Sequence, residues 1–221
     1  NYFLGLHLAK RSPKTLWRKK LLLILTLGAN LAVLLWFKDW GGSAGLPLGI
    51  SFYTFQILSY QIDVYRGEVS REYSFLKFAT YVSMFPKLIS GPITRYGDIS
   101  DSLTERTFTV RGLEDGIKLF ILGLAAKVLL ADRVGILWHE VQVTGFESIS
   151  TPLAWLAAIA YSMEIYFDFS GYSLMAMGLG RMLGIELPRN FRRPYMARGV
   201  RDFYRRWHMT LGQWFCRCVY I

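Results

Sequence analysis

The sequence predicts an all-α, polytopic membrane protein. Three observations predict it: long apolar runs, basic segments that fall between those runs, and other links that carry no Lys or Arg at all. Of the 221 residues, 52% are hydrophobic and 16% aromatic, with seven Trp and fifteen Phe, which is too apolar for an ordinary soluble domain of this length. A formal charge of +10 would by itself suit nucleic acid. The basic residues sit between apolar stretches, however, which is the pattern of membrane loops, so no nucleic-acid partner is expected. Cys216 and Cys218 are too few and too close for a disulfide framework or a zinc site, and neither a metal nor a bound cofactor is expected. No signal-peptide pattern is visible, the first residue is Asn1, and the last residues read as mid-helix sequence. The expectation is one transmembrane domain, 1–221, forming part of a longer protein.

Residues Lys10–Lys20 hold six basic side chains and no acid, and they run into the apolar stretch Leu21–Phe37, closed by Lys38. At about 1.5 Å per residue that run nearly crosses a ~30 Å hydrocarbon layer. After the short link DWGGSAG, Leu46–Val64 is long enough to span but unusually polar. Gln56, Ser59, Tyr60 and Asp63 recur at helical spacing, so one face lines either an interior passage or a set of interhelical hydrogen bonds. Phe75–Ile93 is broken by Pro86 and by Gly91-Pro92, and FPKLISGP reads as two short re-entrant or interfacial segments. Gly116–Trp138 is the next span, with Lys127 at depth, where a lysine implies function or ion pairing. Pro152–Tyr172 follows, then a shorter Gly- and Met-rich helix over Leu174–Leu187.

Charge orders these spans. The links 39–48 and 140–150 contain no Lys or Arg, whereas 10–20, 66–111 and 181–206 carry six, seven and eight. With crossings at roughly 21–37, 46–64, 116–138 and 152–172, every basic segment falls on one side, the cytoplasmic one.

The stretch from Asn190 to Trp214 carries the chemistry. A helix is expected to start beside Gly199, with Asp202 in its first turn, and to continue through His208. Phe203, Trp207, Leu211 and Trp214 would then form one apolar stripe, with His208 at its edge and Arg205 and Arg206 one turn back. A neutral imidazole, disfavoured as a cation by burial and by those arginines, suits a general base. A hydrogen-bonded packing histidine is the competing reading. Asp168, in YFDFSGY, needs a cation, and the arginines of 181–206 are the nearest in sequence. Those eight arginines suit a phosphate, a carrier protein, anionic membrane lipid, or simply topology. Ser162 and Ser170 lack the strand-turn-helix elbow of a serine nucleophile.

Four segments in order, LPLGISFYTFQILSYQIDVYRGE, FPKLISGPITRY, YFDFSGYSLMAMGLGRMLGIELPRNFRRPY and DFYRRWHMTLGQWF, resemble the membrane-bound O-acyltransferase (MBOAT) family, in particular its bacterial alginate O-acetyltransferase-like branch. The resemblance implies a ring of transmembrane helices with re-entrant helices around a thinned, tunnelled centre in the bacterial cytoplasmic (inner) membrane. It implies transfer of an acyl group, acetyl in that branch, from an acyl-CoA or acyl-carrier thioester to hydroxyls of an exported polysaccharide. Periplasmic or extracellular acetylation partners come with that expectation. The family's RWH histidine matches His208. A second histidine that members use lies further along, so the site is expected to be incomplete here. On this resemblance Gln56 and Ser170 line the substrate route, and Asp168, Asn190 and Tyr195 orient the loop around His208. Arg205, Arg206 and Trp207 frame it. Where the family commonly continues with an Arg-Asp-Tyr-type run, this chain has Cys216, Arg217 and Cys218. Two other classes stay open at this point: a transporter or flippase-like channel, suggested by broken helices, Lys127 and the intramembrane carboxylates, and a non-catalytic scaffold fragment.

Overall fold

The computed structural model describes residues 1–8, 16–40, 47–89 and 91–220. Residues 10–15 of the first basic segment and 41–45 of the DWGGSAG link lie outside them. Among the described residues every regular element is helical. The chain divides into two compact units, Asn1–Thr107 with His208–Ile221, and Phe108–Trp207.

The first unit holds α1 (Tyr2–Leu8), α2 (Leu16–Leu35), α3 (Ile50–Arg66), α4 (Phe75–Ser83), α5 (Tyr96–Thr104) and α10 (Met209–Cys218). One helical segment, Trp17–Lys38, is long and apolar enough to cross a membrane, and little of it is buried within the protein. It comprises α2 and a π-helical turn, Trp36–Trp40, that carries it past the expected stop at Lys38. Leu21, Ile24, Leu25, Leu31, Val33 and Trp36 are all exposed, as lipid-facing side chains would be.

Helix α3 is the reverse. Gln56, Ser59, Tyr60, Gln61 and Asp63 are buried. Arg95 grips Asp63 with two nitrogens, at 2.9 Å (Nε to Oδ2) and 2.8 Å (Nη2 to Oδ1). The Tyr60 hydroxyl accepts the Glu72 N–H, and Tyr60, Phe78, Tyr81 and Tyr96 pack ring against ring at 5.0–5.3 Å between successive centroids from Phe78 through Tyr60 and Tyr96 to Tyr81. As the prolines predict, the Phe75–Ile93 stretch is not one helix. It stops at Ser83 and makes a 3-10 turn over Phe85–Lys87, and residues 92–95 carry no helix before α5 begins. Lys87, fully buried at that turn, donates to Thr94 Oγ1 (2.8 Å) and lies 4.0 Å from the Tyr81 ring centroid. Burial holds its amine well below the usual lysine value.

The second unit is built on α6 (Val110–Ala125), α7 (Asp132–Thr144), α8 (Thr151–Met182) and α9 (Val200–Tyr204). A π-helical segment, Ala126–Ala131, joins α6 to α7. The expected break between Pro152–Tyr172 and Leu174–Leu187 does not occur: α8 runs for 32 residues, through Gly171. That glycine serves packing instead of stopping the helix. A Cβ on Gly123 would lie 2.4 Å from the Gly171 carbonyl oxygen, and one on Gly178 would lie 2.6 Å from that of Gly116. Two glycine pairs, seven residues apart on each helix, thus bring α6 and α8 into backbone contact, a small-residue packing suited to helices in lipid. The helix ends at Gly184, whose left-handed φ of 73° lets the Ile185 N–H reach back to the Gly180 carbonyl.

Candidate active site around His208

The loop 183–199 returns from α8 toward α9 within the second unit. Arg193, at φ 47°, takes the left-handed conformation just before Pro194. The Arg192 N–H donates to the Arg206 carbonyl (2.9 Å), and the Tyr195 hydroxyl donates to the Ser162 carbonyl on α8 (2.6 Å). Rings then fill the space: Tyr166 meets Tyr195 at 5.4 Å, Phe191 meets Trp207 edge-on at 5.1 Å, and Phe203 stacks on Trp207 at 5.6 Å. Asn190 is buried to 1% exposure. Of the two residues expected to orient the loop, Tyr195 is bonded to α8 and Asn190 is buried.

The helix that starts at Gly199 is much shorter than expected. It ends at Tyr204, and α10 begins at Met209. In between, the Arg206 and Trp207 N–H groups both turn back to the Phe203 carbonyl, which tightens the chain out of the α-helix. Phe203, Trp207, Leu211 and Trp214 are therefore not one helical stripe. His208 stands at the break, at φ 42° and ψ 54°, and caps α10. The left-handed region costs a non-glycine residue about 1–2 kcal/mol, and such outliers concentrate at functional sites. Histidine is one of the few side chains enriched there.

Within the first unit, α10 is tied down close behind His208. Thr210 Oγ1 accepts the Ile93 N–H (3.1 Å), so the chain at Ile93 meets the first turn of α10. Trp214 Nε1 donates to the Phe55 carbonyl on α3 (3.0 Å), and Trp214 packs with Leu58 and Ile93. At the far end the Arg66 guanidinium donates to the Arg217 carbonyl. Helix α10 thus continues through Cys216–Cys218 despite the departure from the family pattern there.

Burial pushes the His208 imidazole down to about 4, so it is neutral at ordinary pH. The expected contribution of Arg205 and Arg206 is corrected: burial alone causes the shift. Arg206 is engaged by Asp202, which accepts its Nε at 2.8 Å and the Arg198 N–H at 3.2 Å. Those bonds hold the Asp202 carboxyl below its usual range.

Asp168 is also corrected. Its partner is Lys127, at 2.7 Å, and Lys127 bridges to Asp132 at 2.6 Å. Asp168 and Lys127 therefore answer each other across α8 and the π-helical segment, while Arg181 pairs with Asp115. Gln56 is fully buried, and neither amide atom has a partner among the described residues.

Ser170 and Asn190 do come together. They line a cavity of about 290 Å³ beside Ser173 and Arg189, with Leu119, Tyr166, Leu174, Met177 and Phe191 completing its wall. Ser173 and Arg189 were missed. The signal for Ser173 was its spacing of three from Ser170 on one helix; Arg189 was one of eight arginines read only as a group.

The comparisons with known proteins bear on this arrangement. The model of MBOAT, the membrane-bound O-acyltransferase family, matches residues 12–221. This chain belongs to that family. It is similar to the "Probable alginate O-acetylase AlgI" of Pseudomonas aeruginosa, at 43% identity over 80% of this chain and 34% of that protein. It is 34% identical to a peptidoglycan O-acetyltransferase of Helicobacter pylori over all of this chain and 50% of the relative. A teichoic acid D-alanyltransferase of Streptococcus thermophilus is 30% identical over 79% of this chain and 43% of the relative. The chain spans about a third to a half of the length of these relatives.

Proposed function

We propose that the protein of which this chain is part transfers an acyl group, acetyl in the first instance, from a thioester donor to hydroxyls of an exported cell-envelope polysaccharide such as alginate. The observation that carries this reading is the chemistry shared by the relatives' names. Alginate, peptidoglycan and teichoic acid differ as acceptors, yet each name denotes O-acetylation or D-alanylation of a cell-envelope polymer.

His208 is the general base on this reading. Its neutral Nε2 or Nδ1 takes the proton of the acceptor hydroxyl as that oxygen attacks the thioester carbon. The C–S bond then breaks, the proton passes from the imidazolium to the departing thiolate, and an ester and a free thiol result. An imidazole held near 4 is a modest base, but its cation is a strong acid toward a thiolate, whose ordinary pKa is about 8.5. The left-handed backbone at His208 and the Thr210 and Trp214 anchors behind it fix the ring's starting point.

The same reading makes the chain multi-pass in the bacterial inner membrane, with α2, α3, the α6–α7 rod and α8 crossing and the basic segments cytoplasmic. The buried polar face of α3, with Gln56 unpaired among the described residues, then lines the substrate route. The donor is an acyl-CoA or a carrier-protein thioester, and partner proteins in the periplasm receive or present the polysaccharide. The test is chemical analysis of ester groups on the exported polysaccharide, made by cells carrying the full-length protein or its His208→Ala variant. Loss of esters with normal membrane insertion is expected; wild-type ester content in the variant removes His208 from the mechanism.

A further inference from the structure

The cavity of about 290 Å³ in the second unit has a lining to which the His208 steps above give no role. Its polar lining is Ser170, Ser173, Asn190 and Arg189, and Leu174 and Met177 supply part of its apolar wall. Ser173 is 2% exposed, and its buried hydroxyl has no partner among the described residues. A buried hydroxyl without a partner costs free energy of order 1–3 kcal/mol, so it marks a place where something else supplies the bond. Arg189 is exposed beside the fully buried Asn190, and no carboxylate pairs with it among the described residues. The site therefore offers one cation at its rim, three neutral hydrogen-bonding side chains within, and a hydrocarbon wall.

Depth decides what fits. On the multi-pass reading above, α8 enters the membrane near Pro152, and Ser170 lies about 27 Å further along at 1.5 Å per residue. That is the cytoplasmic border of the hydrocarbon layer, the level of phosphates and glycerol esters in an anionic leaflet. The other wall agrees: Leu119 belongs to the start of the 116–138 crossing, on the same side.

We propose that this cavity is a binding site for an anionic glycerophospholipid of the cytoplasmic leaflet. Arg189 pairs with the phosphate by charge-assisted hydrogen bonds, Ser170, Ser173 and Asn190 donate to the ester carbonyls and glycerol oxygens, and an acyl chain lies on Leu174 and Met177. The bound lipid joins α6, α8 and the returning loop at their cytoplasmic end.

The test titrates delipidated full-length protein in detergent with phosphatidylglycerol and, separately, phosphatidylcholine, and counts bound lipid by native mass spectrometry. One saturable phosphatidylglycerol per chain is expected. Arg189→Gln is expected to weaken it about tenfold, and Ser173→Ala, which is compatible with the fold even if the first variant is not, about threefold. Equal binding of the two lipids, or unchanged affinity in Ser173→Ala, overturns the proposal. Inorganic phosphate displacing the lipid at equal concentration makes this a free-anion site, and coenzyme A displacing it assigns the cavity to the acyl donor; either result overturns the lipid assignment. His208→Ala is expected to keep lipid binding intact, so failure of the lipid site and failure of the transfer reading are told apart.

Discussion

Helices α3 and α8 are both long, both internal to their own unit, and bury opposite things. The buried positions of α3 include Gln56, Ser59, Gln61 and Asp63, whereas those of α8 are all Ala, Ser or Gly. Helix α8 exposes Trp155, Leu156, Ile159 and Met163, and its buried face is stripped to small residues so that α6 can approach to backbone contact. The difference teaches that a helix finds its partner in two ways. One helix is held by directed polar bonds, the other by close backbone fit at small residues.

That comparison can be broken at specific side chains. Replacing Arg95 with Met leaves the Asp63 carboxylate, whose side chain is 2% exposed, without its bidentate partner, and should cost about 3–5 kcal/mol in thermal unfolding of the detergent-solubilised protein. Asp63→Asn should cost clearly less, because Arg95 keeps Glu68 at 2.7 Å. If the two variants melt alike, α3 is not held by this pair. On the α8 side, Gly123→Val inserts bulk where a Cβ alone would lie 2.4 Å from a carbonyl oxygen. It should cost about 1–3 kcal/mol and leave the Arg95 variant's effect additive. A smaller effect is expected at Thr210→Val, which deprives the Ile93 N–H of its acceptor for about 1 kcal/mol. Because that bond anchors the turn after His208, transfer should fall more than stability does, and a variant with full activity would detach the anchor from the mechanism.

Much of this was legible in the residues. The apolar run after Lys20 is a helix with lipid-like exposure, the prolines of FPKLISGP end a helix where expected, and the polar face of α3 is buried. What was not legible depended on contacts distant in sequence. Helical spacing carried the His208 helix straight through Trp207, because nothing local forbids it; the break is made by N–H groups turning back to Phe203, with the loop fastened alongside through Arg192 and Arg206. Asp168 was assigned to an arginine nearby in sequence, while Lys127, in another helix, holds it at 2.7 Å. Two helices are expected over Pro152–Tyr172 and Leu174–Leu187 where one forms, because a glycine's sequence signal is the same for a helix end and for a close crossing.

The role of His208 as the base in that transfer rests on an imidazole that burial keeps neutral. With the folded value pushed down to about 4 from an ordinary 6.5, His208 is almost entirely neutral well above that lower value, so its capacity as a base is fully present at pH 7 and is lost only as pH falls toward 4. The direct measurement is the pH dependence of acyl transfer by the full-length protein in proteoliposomes. The rate should show no His208-dependent loss between pH 8 and about 5, with its acid limb below that. An acid limb centred near 6.5, an ordinary solvated histidine's value, would contradict the account.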